Sequence, residues 1–355
     1  MRERRKRWLL IGGVMLFAVA LCAVGRLAGG SASPVSRPSG PLGVVLLPGV
    51  GSSELVVADI KTGRVVRRIR LRSLVTDIAV DAPTGLVVAA QSGGIGSEAD
   101  DALSVTDVRT GQVRYVTLPV IDPGDVACVG GRAYVLHSVV EASGSVVSVV
   151  DVKSGRVLGG GRVPDRVGLW SAAAGALWTA TDPGGGAPAL TRIGLDGFDL
   201  SVTDAGGPPV FGVTEAAGLV ALLGPARSDE APSEGLVRLM DPVSSSIVAS
   251  APVMRLARPP MQAVAVGKRL MVGDWNGEEP ESHILEVFDS STLQPMGVVS
   301  LDGAPCALAV WSDRLLAVDR VAGRLLVVDP ADGRTLSAID LGAKGLTFSD
   351  VVVIE

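Results

Sequence analysis

From Gly43 onward, short apolar runs alternate with brief polar turns, and one unit recurs along the chain. An apolar run ends in Asp, a short turn follows, and a second run begins. The unit appears as Val-Val-Ala-Asp59-Ile-Lys-Thr-Gly63, Ser-Val-Thr-Asp107-Val-Arg-Thr-Gly111, Ser-Val-Val-Asp151-Val-Lys-Ser-Gly155, Arg-Leu-Met-Asp241-Pro-Val-Ser-Ser, Glu-Val-Phe-Asp289-Ser-Ser-Thr-Leu and Leu-Val-Val-Asp329-Pro-Ala-Asp-Gly333. A degenerate copy lies at Gly194-Leu-Asp196-Gly197, and the successive Asp markers stand 48, 44, 45, 45, 48 and 40 residues apart. The turn chemistry is that of a β-hairpin. Asp accepts backbone N–H groups with its side chain, and Gly supplies the positive φ that reverses the strand.

A second hairpin recurs between these units. It is read at Asp77-Ile-Ala-Val through Ala90, at Val126-Ala-Cys-Val through His137, at Ala263-Val-Ala-Val through Asp274 and at Ala307-Leu-Ala-Val through Asp319. Two hairpins per period make a four-stranded unit, and a period near 45 residues is that of a propeller blade. Small residues on the first strand of each unit suit the crowded inner wall of a radial array. The chain ends complete the count: Gly43–Leu47 reads as a second strand lacking its first, and Phe348–Glu355 reads as a first strand lacking its successors. Pairing residues 348–354 with 43–48 closes a ring and removes two sheet edges. The expected fold is all-β, a seven-bladed β-propeller of four-stranded antiparallel blades over residues 42–355.

On these repeats the chain resembles the extracytoplasmic YVTN-type β-propeller family, with more distant similarity to quinoprotein propellers. The resemblance covers roughly residues 43–355. The family's second strand reads Tyr-Val-x-Asn, and its counterparts here are Tyr134-Val-Leu-His137, Trp178-Thr-Ala-Thr181, Met271-Val-Gly-Asp274 and Leu316-Ala-Val-Asp319. The hydrophobic places match and the Asn is replaced. The family's third strand and turn are kept at Asp59, Asp107, Asp151 and Asp329. Quinoprotein propellers carry a Trp eight residues after that Asp. Arg67, Tyr115, Gly159, Gly297 and Ser337 stand there instead, so the resemblance implies no quinone.

Ahead of the repeats, Arg2, Arg4, Arg5, Lys6 and Arg7 precede an uncharged apolar run over residues 8–24. Seventeen residues make a helix of about 26 Å, within the range that spans a bilayer. Flanking positive charge stays in the cytoplasm and sends the rest outside. Residues 1–25 therefore read as a signal anchor or a signal peptide, with Gly30-Ser31-Ala32 as a candidate cleavage site. Residues 26–41, rich in Gly, Ser and Pro, read as a linker. The expected location is a bacterial cell membrane, single-pass with the propeller outside, or the exterior after cleavage.

The formal net charge of -5 includes that basic cluster, and the body beyond residue 25 carries -9. An acidic body without a basic stripe argues against nucleic acid as partner. Cys22, Cys128 and Cys306 lack the spacing of a metal site or disulfide framework, and His137 and His283 are the two histidines. No catalytic residue, metal or cofactor is assigned. In a propeller the loops after the second strands line one mouth of the central channel. That places Asp101, His137, Asp182, Asp274, Trp275, Asn276 and Asp319 as candidate ligand-binding residues, since carboxylate and amide oxygens suit cations and polar ligands. A solvated, strand-capping role competes for each acid, and a bond to a neighbouring loop competes for His137. The expected function is a membrane-tethered binding or scaffolding module for a protein, peptide or glycan partner at the mouth or flank. The alternative is a propeller enzyme, a lactonase, lyase or dehydrogenase, with its site at the mouth.

Overall fold

The computed structural model describes residues 40–49, 51–92, 101–141, 144–163, 167–181, 189–194, 200–204, 207–226, 234–274, 283–344, 346 and 349–355. The N-terminal segment and most of the linker, and the Asp196 turn, lie outside the described residues. Pro38–Glu355 forms one compact unit.

The Asp turns fold as their sequence requires. At the first, the Lys61 and Thr62 amides each donate to Asp59 Oδ1 at 2.9 Å, and Gly63 takes φ 68°. The turns at Asp107, Asp151 and Asp329 repeat this with Gly111, Gly155 and Gly333 at positive φ. Two turns depart from the expectation that Gly supplies the reversal, because Ser245 and Leu293 hold φ 57° there. Hydroxyls reinforce the Asp in those turns: Ser244 Oγ donates to Asp241 at 3.0 Å, and Ser291 Oγ to Asp289 at 2.7 Å.

The described residues form 28 strands, β1 to β28 in chain order, in seven four-stranded antiparallel sheets. Six blades take four consecutive strands each. Their innermost strands are β4 (Val75–Asp81), β8 (Pro123–Val129), β12 (Val167–Ala173), β16 (Gly212–Ala216), β20 (Pro260–Val266) and β24 (Pro305–Trp311). The remaining blade, blade 1, is composite: β28 (Asp350–Ile354) is innermost, followed by β1 (Leu42–Leu47), β2 (Glu54–Asp59) and β3 (Arg64–Arg70). β28 and β1 pair from Leu42↔Ile354 to Leu46↔Asp350, which is the closure expected from the sequence. Each innermost strand packs on the next, and β28 packs on both β24 and β4, so the ring is complete.

Burial explains why the strands read as continuous apolar runs. Every blade is a layer with a neighbour on both faces, and the seven core clusters among the described residues each lie between two adjacent blades. The cluster joining blades 7 and 1, for example, packs Leu316, Val318 and Leu325 against Val45, Val56 and Val351. Strand β1 is buried along its whole length, whereas the outermost β3 is mostly exposed or half-buried. Sheets covered on both faces lose the apolar–polar alternation of half-buried strands.

Polar bonds fasten the closure from outside. Ser349 Oγ donates to Leu46 O at 2.6 Å. From the Asp107 turn of blade 2, Arg109 donates through Nη1 to Gly40 O at 3.2 Å and through Nη2 to Glu355 O at 2.9 Å. One guanidinium thus holds both strands of the closing pair. Similar ties join other blades: Arg114 donates to Val152 O at 2.7 Å and to Lys153 O at 3.1 Å, linking blade 2 to the turn of blade 3.

Removing residues 348–355 deletes the innermost strand of blade 1 and uncovers the core on both sides, so the cooperative thermal transition is expected to disappear. A truncated protein with an unchanged Tm would refute the role of this strand. In chemical denaturation, Ile354→Ala should cost about 2–4 kcal/mol as a cavity in a buried core, and Arg109→Ala about 1–2 kcal/mol from lost charged hydrogen bonds. The two Gly-less turns should respond in opposite directions. Ser245→Gly relieves left-handed strain and should gain up to about 1 kcal/mol. Leu293→Gly should lose roughly 1–2 kcal/mol net, because Leu293 is buried between blades 5 and 6 and its lost burial outweighs the relief.

Candidate functional site

Register places several of the sequence-derived residues at one level. His137 pairs with Pro123, Asp274 with Pro260 and Asp319 with Pro305, each opposite the start of an innermost strand. Gln91, opposite Val75, holds the same place in blade 2. The second strands therefore do bring these side chains to one end of the ring. Burial shapes what they do there, because His137, Asp274 and Asp319 are each about 2% exposed.

Asp319 is occupied by its own turn. Its Oδ1 accepts the Val321 and Ala322 amides at 3.2 Å, and its Oδ2 accepts Arg324 Nη2 at 2.8 Å and Nε at 3.2 Å. His137 links three elements. It lies on β9 (Arg132–Glu141), which runs past the His137 position where the sequence suggested an end. Its Nδ1 lies 3.0 Å from the Ile121 carbonyl, in the crossing from blade 2, and its Nε2 lies 2.9 Å from Ser148 Oγ on β10 (Gly144–Asp151). A carbonyl only accepts, so Nδ1 carries the proton and, in the neutral ring, Nε2 accepts from Ser148. Burial lowers the His137 pKa, outweighing the Ile121 bond and nearby Asp122, and so favours that neutral ring. Asp274 caps β21 (Arg269–Asp274), where its carbonyl accepts Gln262 Nε2 at 3.4 Å. Asp101 is half-buried ahead of β6 (Ala102–Asp107), with its carbonyl bonded to the Leu118 amide. Asp182, Trp275 and Asn276 lie outside the described residues.

The thiols are quiet. Cys128 on β8 and Cys306 on β24 are free and stand on non-adjacent blades. Burial pushes Cys306 up to about 12, and it raises Cys128 further, with help from Asp81 and Asp77. Trp178 is fully buried, with Nε1 donating to Ala173 O at 3.0 Å, while Trp311 packs on the core between blades 7 and 1.

The main electrostatic feature lies on the innermost strands rather than at the second-strand ends. Paired with the residue just before the level of Gln91 and His137, the innermost strands carry Asp350, Asp77 and Asp125 on blades 1, 2 and 3. The corresponding positions on blades 4 to 7 are Leu169, Gly212, Gln262 and Ala307. Asp77 Oδ2 accepts the Val126 amide of blade 3 at 2.8 Å, and its carboxyl is hydrogen-bonded to that of Asp350 in blade 1. Burial, followed by the charges of Asp350 and Asp125, raises the Asp77 pKa well above its usual value. Burial also raises Asp350 and Asp125. Two carboxyls in hydrogen-bond contact are stable when they share one proton, and this contact raises the Asp77 pKa and lowers that of Asp350. Among the described residues no cluster of three His, Cys, Asp or Glu side chains has a metal-binding arrangement. The signal was present in the sequence: Asp77-Ile-Ala-Val, Asp125-Val-Ala-Cys and Asp350-Val-Val-Val set an acid at the same place in three first strands.

A group whose pKa is raised by folding stabilises the fold fully below its unfolded value of 3.8, and that contribution is lost as pH rises through the raised value. Asp77→Asn supplies a permanent N–H toward Asp350 and removes the titrating proton. Its thermal stability should therefore fall less steeply above pH 4 than that of the natural chain, and melts recorded from pH 4 to 9 check this. An unchanged slope would mean that Asp77 does not hold the proton.

No protein-family model matches the sequence, and no curated protein matches it. Solved structures match in fold. A functionally unknown protein from Desulfotomaculum acetoxidans is 12% identical with a TM-score of 0.62, over 88% of this chain and 99% of that one. A chain of the mitotic checkpoint complex is 14% identical with a TM-score of 0.59, over 93% and 91%. The dihydro-heme d1 dehydrogenase NirN is 11% identical with a TM-score of 0.59, over 90% and 67%. Identities this low carry the architecture and nothing finer: the described residues form a seven-bladed β-propeller.

Proposed function

We propose that this chain is an extracytoplasmic, membrane-tethered binding or scaffolding module, holding its propeller outside the membrane for a protein, peptide or glycan partner. The observation that carries this reading is the commitment of candidate reactive groups to the fold. His137 bridges a crossing and a strand, Asp319 caps its own turn and pairs with Arg324, and Cys306 is held as a thiol. Groups so engaged stabilise strand ends and leave the ring's surface as the working part. A propeller in the mitotic checkpoint complex belongs to a multiprotein assembly, which is in keeping with a binding role for this architecture. The tether rests on the basic cluster and apolar run of residues 2–24.

A second reading has one observation behind it. Burial and the charges of Asp350 and Asp125 raise the Asp77 pKa well above the usual carboxylate value, and a carboxylic acid with a raised pKa is suited to general acid catalysis. This keeps a propeller enzyme as the alternative, in company with the NirN structure, whose name records a dehydrogenase.

Cell fractionation should place the full chain in the membrane fraction, with the propeller cleaved by protease added from outside. Cross-linking in intact membranes followed by pull-down should recover one specific partner. Repeated recovery of none at adequate expression would remove the binding reading, and stoichiometric metal or a quinone absorbance in the purified chain would favour the enzyme.

A further inference from the structure

The outer edges of the blades are not alike. Strand β3 bristles with Arg64, Arg67, Arg68 and Arg70, while β19 (Ile247–Val253) and β23 (Pro295–Ser300) contain Pro252 and Pro295. Charge and proline are the usual means of keeping an edge from pairing with another chain. Strand β11 (Arg156–Val163), the outermost of blade 3, lacks these in its centre. Among the described residues it is the longest outer strand at 8 residues and pairs with β10 alone; its middle is Leu158-Gly-Gly-Gly161, with Leu158 bulged between the Val150↔Val157 and Val149↔Gly159 pairs. Leu158 is 39% exposed, and Gly159 and Gly160 are exposed as well.

The missing side chains leave space. A cleft of about 520 Å³ lies against this strand, lined by Pro119 and Val120 from the crossing out of blade 2, by Val146 and Ser148 on β10, and by Val157 and Leu158 on β11. Ser148 is the residue that His137 fixes, so the cleft floor is anchored to the crossing loop. The glycines are structural as well as open: a Cβ on Gly160 would lie 2.2 Å from Val147 O, so the strand cannot fill the gap with a side chain there. Charge adds a direction. From Asp151 to Val163 the chain carries three exposed cations, Lys153, Arg156 and Arg162, against one acid, Asp151, which is engaged in its own turn beside Lys153 and Arg156, on a protein whose net charge is -5.

We propose that the β11 edge of blade 3 is a docking site for an extended, acidic polypeptide segment, which adds as a fifth strand and lays an apolar side chain in the adjoining cleft. The main-chain groups of β11 supply register and affinity, the cleft selects alternate apolar side chains, and Lys153, Arg156 and Arg162 select acidic neighbours. This assignment rests on the binding-module reading and gives it a surface on the flank rather than at the channel mouth.

The test uses the purified full chain and a fluorescein-labelled octapeptide of alternating Glu and Val, followed by fluorescence anisotropy. Saturable binding is expected. Affinity should fall at least tenfold when Lys replaces Glu in the peptide, when alternate peptide nitrogens are methylated, and in the Arg156→Glu/Arg162→Glu variant, whose exposed positions leave the fold intact by its melting curve. Leu158→Glu should weaken binding comparably. Absence of saturable binding, equal binding of the Lys peptide, or full binding by the charge-reversed variant overturns the site. Concentration-dependent dimerisation in light scattering that the charge reversal abolishes would put a second copy of this chain on the edge, and also overturns the proposal. Failure here with a partner still recovered from membranes removes only this surface, whereas failure of both removes the binding module itself.

Discussion

The pairing of β28 with β1 is the constraint on which the rest depends. A propeller blade has no self-sufficient core, because each of its faces is completed by a neighbour. The clusters between blades 7 and 1 and between blades 1 and 2 both draw on β28, through Val351 in one and Ile354 in the other. Five residues of strand thus complete two of the seven interfaces. The pairing also joins the most distant parts of the fold, so its entropy cost is that of closing the whole ring. Arg109, tied to Gly40 O and Glu355 O, adds its charged bonds where that cost falls.

Carboxylates serve this ring in two opposite ways. In the turns, Asp151, Asp241, Asp289 and Asp329 accept amide and hydroxyl donors, and these bonds lower their pKa values, that of Asp289 to about 2. Their contribution is present above the usual carboxylate value of 3.8 and is lost as pH falls through the lowered values. On the channel wall, Asp77, Asp125 and Asp350 are raised, so their contribution runs the other way. The rim favours neutral conditions and the hub favours acid. Residue type alone does not distinguish the two populations. The difference lies in how many N–H and O–H donors reach each carboxylate and how much water does.

The same distinction governs what could be read about function. His137, Asp274 and Asp319 were legible as a set because each holds the same place in a repeat's second strand, opposite the start of an innermost strand, although β9 continues beyond His137. Their bonding was not legible. The partners of His137 come from a crossing loop and a third strand, and those of Asp319 from the next few residues. The cleft beside β11 was equally hidden, since Gly159–Gly161 reads as a weak strand until the facing crossing at Pro119 and Val120 is in place. Solved propellers with 11–14% identity serve a checkpoint assembly and a dehydrogenase, so architecture does not choose between binding and chemistry.

By itself, the sequence determined the repeat, the number of blades, the Asp turns and the identity of the closing strands. Each of these follows from local chemistry or from a period counted along the chain: Asp accepting its own turn's amides, Gly permitting positive φ, and an unpaired strand at either end. Tertiary structure alone decided which acids share a proton, which are spent on turns, and which edge stays open. Those outcomes depend on distances between residues far apart in the chain, such as Asp77 and Asp350, and on the burial that only a closed ring creates.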